Sequence, residues 1–192
     1  MRGRRMFIAV DPPTEVAARV RTIVDRLRLA GAEAAWTNPA QLHLTLHFLG
    51  DEVDDADLHR ICVALDEAAA AVPPFSLAFG GLGVFPDLRR PRVVWLGVRE
   101  GAAELARLHE ALQERLEPIG FRPEARGFRP HVTLGRLRDR GPAADTLAAA
   151  IASADVATAG GMRVQKVVLY ESRLAKAGPE HDRLHAAPLA GR

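Results

Sequence analysis

The sequence predicts an α+β fold built on antiparallel sheet. Three observations carry this expectation. Alternating apolar segments recur between helical stripes, so strands and helices interleave along the chain. Two strand-like segments, 75–85 and 93–98, are joined only by the loop 86–92, too tight a return for a parallel crossover. Finally, each half of the chain reads helix, Pro-rich approach, strand carrying His-x-Thr, helix. About eight strands and four helices are expected.

The elements follow in order. Phe7-Ile8-Ala9-Val10 reads as a first strand, stopped by Asp11-Pro12-Pro13. A helix is expected from Thr14, because Val16, Val20, Ile23, Val24 and Leu27 repeat at three and four. After Pro39-Ala40-Gln41, the alternating run 42–49 is a strand, ended by Gly50 and an acidic stretch. Leu58, Ile61, Leu65 and Ala68 mark a second helix, closed by Pro73-Pro74. The long hairpin of 75–98 comes next. Leu105, Leu108, Leu112 and Leu116 then form a clean helical stripe, with Pro118 and Gly120 at its exit. The Pro- and Arg-rich approach 121–130 leads into a strand over 131–136. A helix over 142–151 and a strand over 162–170 follow, and the tail from Ser172 shows no periodicity.

A chain of 192 residues makes one large domain or two small lobes, and no segment is long enough to link independent domains. The apolar fraction of 48% and charged fraction of 26% exclude a disordered, collagen-like or coiled-coil protein. A net charge of +2 excludes a bulk electrostatic nucleic-acid binder, so any polyanion site is local. Of the 26 basic residues only Lys166 and Lys176 are lysines. The arginine excess reads either as codon bias, since Ala, Gly and Pro are also abundant, or as phosphate recognition. A lone cysteine, Cys62, forbids an internal disulfide and any multi-cysteine metal site. No apolar run reaches the roughly 20 residues of a membrane span. The basic opening resembles a signal n-region, but Asp11-Pro12-Pro13 ends the apolar stretch too early. A cytoplasmic protein is expected.

The chemistry concentrates in two segments, Leu42-His43-Leu44-Thr45-Leu46 and Pro130-His131-Val132-Thr133-Leu134. Residues i and i+2 of a strand share a face. His43 and Thr45 therefore point one way and Leu44 and Leu46 the other; His131 and Thr133 do the same against Val132 and Leu134. Either site alone also reads as a half-exposed strand histidine beside a β-favouring threonine. Chance predicts about 0.25 His-x-Thr matches in this composition, so two in matched settings point to function. Two imidazoles are what phosphodiester cleavage without a metal requires. A neutral ring takes a proton from the nucleophile, and an imidazolium gives one to the leaving oxygen. Threonine hydroxyls suit non-bridging phosphate oxygens. His43 and His47 nominally share a face, but i to i+4 in a strand spans about 13 Å, too far for one ion to bridge. No metal site and no cofactor are expected.

At these residues the sequence resembles the two-histidine phosphoesterase superfamily. Within it, it is similar to the RNA 2',3'-cyclic phosphodiesterase family, also called 2'-5' RNA ligase. The likeness covers nearly the whole chain. Its opening strand is Arg5-Met6-Phe7-Ile8-Ala9-Val10; its first block is Trp36 with 42–50. The central hairpin is Gly83-Val84-Phe85-Pro86 with 89–98, the second block is 128–136, and the late strand is 169–174. The resemblance implies a single domain over 1–192 made of two interleaved lobes. It implies a pseudo-symmetric bilobal fold, with two antiparallel sheets facing a central cleft and helices outside. It implies metal-independent hydrolysis of 2',3'-cyclic phosphate ends to 2'-phosphates, with RNA ends or cyclic nucleotides as substrates. His131 would be the general base and His43 the general acid, a division the near-symmetric motifs do not reveal by themselves. Thr45, Thr133 and Arg129 would bind the phosphate. A monomer without an obligate protein partner is expected. Alternatives are 2'-5' ligation or 2'-5' oligonucleotide cleavage as the main role, or an RNA-end binding module without useful catalysis. Two positions depart from the family's pattern: His47 stands where Lys is usual, and His181 ends Gly178-Pro179-Glu180-His181 where an aromatic hydroxyl is usual.

Other residues carry weaker signals. Arg136 nominally faces away from His131 unless Gly135 kinks the strand. Phe7, Trp36, Phe48 and Trp95 are candidates to stack on a base, with core packing the expected role of Phe48 and Trp95. Arg89, Arg90 and Arg92 read equally as an RNA-contacting loop or a solvated turn. Tyr170, the lone tyrosine, is expected in the core with its hydroxyl bonded, and Cys62 buried and inert. His59, His109 and His185 have no partner in view.

Overall fold

In the computed structural model, the described residues are 3–122, 127–137, 142–154, 156–175 and 178–191. Part of the 121–130 approach, and Lys176, lie outside them. The first half of the chain forms β1 (Arg4–Val10), α1 (Thr14–Leu29), β2 (Ala35–Trp36), β3 (Leu44–Val53) and α2 (Leu58–Ala70). The hairpin β4 (Phe75–Phe85) and β5 (Val93–Glu100) follows, then α3 (Ala102–Leu116) and β6 (His131–Arg136). The chain continues through α4 (Pro142–Ser153), β7 (Gly160–Val164), β8 (Lys166–Ala175) and β9 (Gly178–Pro188).

The helical stripes bury as the spacing predicts. α1 buries Val16, Val20, Ile23, Val24 and Leu27. In α3, Leu105, Leu108, Leu112 and Leu116 are fully buried, and truncating any one to alanine costs about 2–5 kcal/mol. Helix α3 starts tightly off β5. Gly101, at φ +83°, turns the chain there, and a Cβ would sit 2.4 Å from the Ser76 carbonyl oxygen.

All strand pairs are antiparallel, in the order β7-β4-β5-β6-β3-β1-β8-β9, with β2 paired to β6. Two halves, β7-β4-β5-β6 and β3-β1-β8-β9, meet through one residue pair, Leu44 opposite Val132. The two sheets expected from the resemblance are thus continuous at that seam. Only Gln165 separates β7, at one edge, from β8, near the other. A single residue reaches only about 3.5 Å, so the sheet curls until its two ends approach. α1 packs on β7 and α4, whereas α2 and α3 pack against β3, β8 and β9. The helices and the inner sheet face share one large core. The other face carries a small cluster of its own, Phe7, Ala9, Val168 and Tyr170, with Phe48 packed against it.

Three sequence expectations change. The strand expected over 162–170 is two strands, because the chain crosses between the halves at Gln165, whose carbonyl accepts the Leu189 amide at 2.8 Å. The tail expected to be aperiodic is the hairpin of β8 and β9, paired from Lys166↔Pro188 to Ala175↔Gly178. As an edge strand with only Ala187 buried, β9 has no apolar alternation to read. The third change concerns His47. Between Ala9↔Thr45 and Ile8↔His47 the register slips by one residue, so Leu46 and His47 both turn into the core. His47 therefore does not share the face of His43. The second motif strand repeats the device: Trp95↔Thr133 is followed by Val94↔Gly135, a bulge at Leu134-Gly135. That bulge is the kink that brings the exposed Arg136 round, opposite Val93.

Candidate active site

The Leu44–Val132 pair is the middle residue of each His-x-Thr motif meeting its counterpart. Both side chains are buried in the core, at 0% and 1% exposure. Extending this antiparallel register by one residue each way sets His43 opposite Thr133 and Thr45 opposite His131. All four side chains are half-buried on the face away from the core. The residues that spacing assigned to one chemistry thus come to one seam.

Both rings are oriented by the same local bond. His43 Nδ1 donates to the Gln41 carbonyl at 2.8 Å, and His131 Nδ1 donates to the Arg129 carbonyl at 2.7 Å. A carbonyl can only accept, so each Nδ1 carries hydrogen and the lone pair of each neutral ring lies on Nε2. The approaches that supply these carbonyls are held in place. Before the first motif, the Asn38 side chain accepts the Ala40 amide at 3.0 Å and Pro39 opens a short 3-10 turn. Before the second, Pro130 disfavours a helical conformation at Arg129.

The two histidines sit against aromatic rings. His43 tilts over Phe7 at 4.7 Å, and His131 stands edge-on to Phe85 at 5.0 Å. Burial pushes the His43 pKa down. The Gln41 bond opposes this, the His181 charge adds to it, and weaker effects of Asp11 and His131 oppose and assist it respectively. Arg129 is exposed, with its guanidinium over Phe85 at 5.4 Å, on the His131 side. Among the described residues, neither Thr45 nor Thr133 spends its hydroxyl on a hydrogen bond.

A recess opens beside each histidine. One of about 1000 Å³ runs from His43, Tyr170 and His181 along α1 to Arg21 and Arg28. The other, about 570 Å³, is lined by Phe85, Trp95, Phe128, Arg129 and His131 over a glycine floor. Trp95 is therefore a recess wall and not core; it lies so close over Gly83 that a Cβ there would come within 2.2 Å of the ring. Phe48 likewise belongs to the outer cluster, under the Arg5 guanidinium at 4.5 Å. Tyr170 is buried as expected, and its hydroxyl donates to Asp11 at 2.7 Å and accepts from Arg183 Nε at 3.1 Å. Burial and the Asp11 carboxylate raise that phenol far above its ordinary range, against the opposing pull of Arg183.

Spacing did not reveal the partners of three histidines. His109 donates from Nδ1 to the Leu46 carbonyl at 2.7 Å and stacks on Phe128 at 4.3 Å, bridging the first bulge to the second approach. His185 pairs with Asp66 at 2.7 Å. His181 enters the His43 site itself. Cys62 is half-buried in α2, and burial, then Asp66, pushes its thiol up. Arg89 and Arg90 cap a turn through their amides on the Asp87 side chain, as a solvated turn does. Among the described residues, no three His, Cys, Asp or Glu side chains gather closely enough to hold a metal ion. No helix among them is long and apolar enough to cross a membrane.

The model of the 2'-5' RNA ligase superfamily matches residues 12–175, a span that includes both motifs. The chain belongs to this superfamily. The RNA 2',3'-cyclic phosphodiesterase of Methanothermobacter thermautotrophicus is 39% identical over 176 residues, 91% of this chain and 93% of that one. A solved structure of a Thermus thermophilus protein, TT0787, is similar with a TM-score of 0.80 at 28% identity, covering 97% of this chain and 98% of that one. E. coli LigT complexed with phosphate is similar with a TM-score of 0.71 at 25% identity, covering 98% of this chain and 99% of that one. The curled antiparallel sheet with few helices is thus a fold that this chain shares with these solved structures.

Proposed function

We propose that this 2'-5' RNA ligase superfamily member hydrolyses 2',3'-cyclic phosphate ends of RNA or nucleotides to 2'-phosphates. The reading needs no metal or cofactor. One observation carries it. Two imidazoles flank the Leu44–Val132 pair, each with Nδ1 tied to a backbone carbonyl, which leaves Nε2 as the nitrogen for proton transfer. The named relatives supply the substrate class.

In the reaction, water oxygen attacks phosphorus and the P–O3' bond breaks. His131 Nε2 takes the proton that water loses. His43 Nε2 gives its proton to the departing 3'-oxygen, leaving a 3'-hydroxyl and a 2'-phosphate. Thr45 and Thr133 donate to the non-bridging oxygens, with Arg129 beside them. The acid role asks His43 to be protonated. Burial works against this in the free protein, and the negative charge of the bound phosphodiester works for it. The chain is proposed to act alone, on RNA ends in the cytoplasm.

The test is turnover of 2',3'-cyclic AMP in excess EDTA, with the product resolved chromatographically. 2'-AMP is expected. A strict metal requirement, or no turnover of any cyclic or 2'-5'-linked substrate, overturns the reading.

A further inference from the structure

The cleft contains a third imidazole that this mechanism leaves unused. His181 lies on β9 opposite Ser172 of β8, and Ser172 lies opposite Arg5 of β1. Its ring is edge-on to His43, with centroids 5.0 Å apart and planes at 81°. It is edge-on to Phe7 as well, at 5.0 Å and 78°. His43 lies over Phe7 at 4.7 Å. The three rings close a triangle in which each touches the other two, within the range of favourable aromatic contact. Among the described residues, neither nitrogen of His181 makes a hydrogen bond, so the ring is placed by packing.

We propose that His181 is a positioning residue for His43, the third wall of the Phe7–His43–His181 cluster, and ties the protonation of His43 to a second imidazole. The inference rests on the reading above that His43 carries a proton in the reaction. The Gln41 bond anchors one nitrogen of His43 but still lets the ring swing about that anchor. Phe7 from β1 and His181 from β9 both pack against the ring.

Electrostatics follows from the same contact. Two imidazoles this close resist being charged together and titrate as a pair. The groups facing His181 are Arg5 from β1, His43 from the first approach, Tyr170 from β8 and Asp182 on its own strand. Burial, then Arg5, disfavours its charged form; Asp182 opposes them. Tyr170 adds no charge, since its hydroxyl is held by Asp11 and Arg183. On the His43 side, Asp11 favours the imidazolium, and His181 and His131 oppose it.

Two variants separate the wall from the charge. His181→Phe keeps a ring and removes the titratable nitrogens, and His181→Ala removes both. The readouts are an NMR titration of the imidazole Cε1 signals in unliganded protein, with His43 assigned from His43→Ala, and kcat and KM for 2',3'-cyclic AMP. In both variants the His43 midpoint is expected to move up, and in His181→Phe to become a single step. In His181→Ala, kcat is expected to fall about tenfold or more with KM changed by less than about threefold, and to fall less in His181→Phe. Thermal melts verify folding; if His181→Ala does not fold, His181→Phe decides. An unmoved His43 titration, or parental kcat in His181→Ala, overturns the proposal. If the parent turns over no cyclic substrate, the functional reading fails, while the unliganded titration still decides whether His181 acts on His43.

Discussion

Replacing His47 with leucine tests the cost of an unpaired imidazole in the core. The bulge in β3 turns this side chain inward, where it is 3% exposed and neither ring nitrogen has a hydrogen-bond partner among the described residues. Burial, then the charge of His109, pushes its pKa from the ordinary 6.5 to about 4. The unfolded chain therefore takes up a proton as pH falls through 6.5, while the folded protein waits until about 4. Folding stability is fully present above the higher value and is lost through that window. At 1.36 kcal/mol per pKa unit, the total loss is about 3 kcal/mol, of which about 2 kcal/mol is gone by pH 5. That is a large fraction of a typical domain's stability. The assay is urea unfolding followed by circular dichroism at pH 7.5, 6 and 5. His47→Leu should be at least as stable as the parent at pH 7.5, because two unpaired nitrogens leave the core. At pH 5 the gap should widen by about 2 kcal/mol. Stability curves that run parallel from pH 7.5 to 5 would refute the reasoning.

Four further outcomes are expected. His43→Ala and His131→Ala should each lower kcat/KM for 2',3'-cyclic AMP by roughly 10² or more, with thermal melts unchanged; parental rates would remove the two-histidine mechanism. Burial lowers the His43 pKa, and in the proposed mechanism the protonated ring is the active form, so kcat/KM should decline as pH rises through a midpoint below 6.5. That limb should be absent from the residual activity of His43→Ala, and its persistence assigns it to another group. Tyr170→Phe removes the bond to the Asp11 carboxylate and should cost about 1.5–3 kcal/mol in urea unfolding. Gly83→Ala drives a methyl into the Trp95 ring and should destabilise by about 1–3 kcal/mol, with a shift in tryptophan emission as the local check.

Local pattern was legible wherever one face of an element is buried. The stripes of α1, α2 and α3 and the 131–136 strand emerged as read, because a buried face imposes period 3.6 or 2 on the residues that fill it. β9 was not legible, since an edge strand with one buried residue carries no such period. The His-x-Thr alternation likewise told which way His43, Thr45, His131 and Thr133 face. It could not say that Leu44 would meet Val132, because a pairing between remote strands depends on the whole sheet's order and curl. Nor could it place His47 in the core or bring Arg136 round. Each depends on a one-residue slip against a neighbouring strand, and a slip reverses the face of everything beyond it. The neighbours of His43 and His109 were hidden for the same reason: Phe7, His181, Leu46 and Phe128 are set beside them only when β1, β3, β9 and α3 have packed. The sequence by itself determined which side chains are the candidates for the chemistry and which way their strands turn. The tertiary structure decided which groups meet, because contacts between remote segments depend on pairing, bulges and curl that no local period encodes.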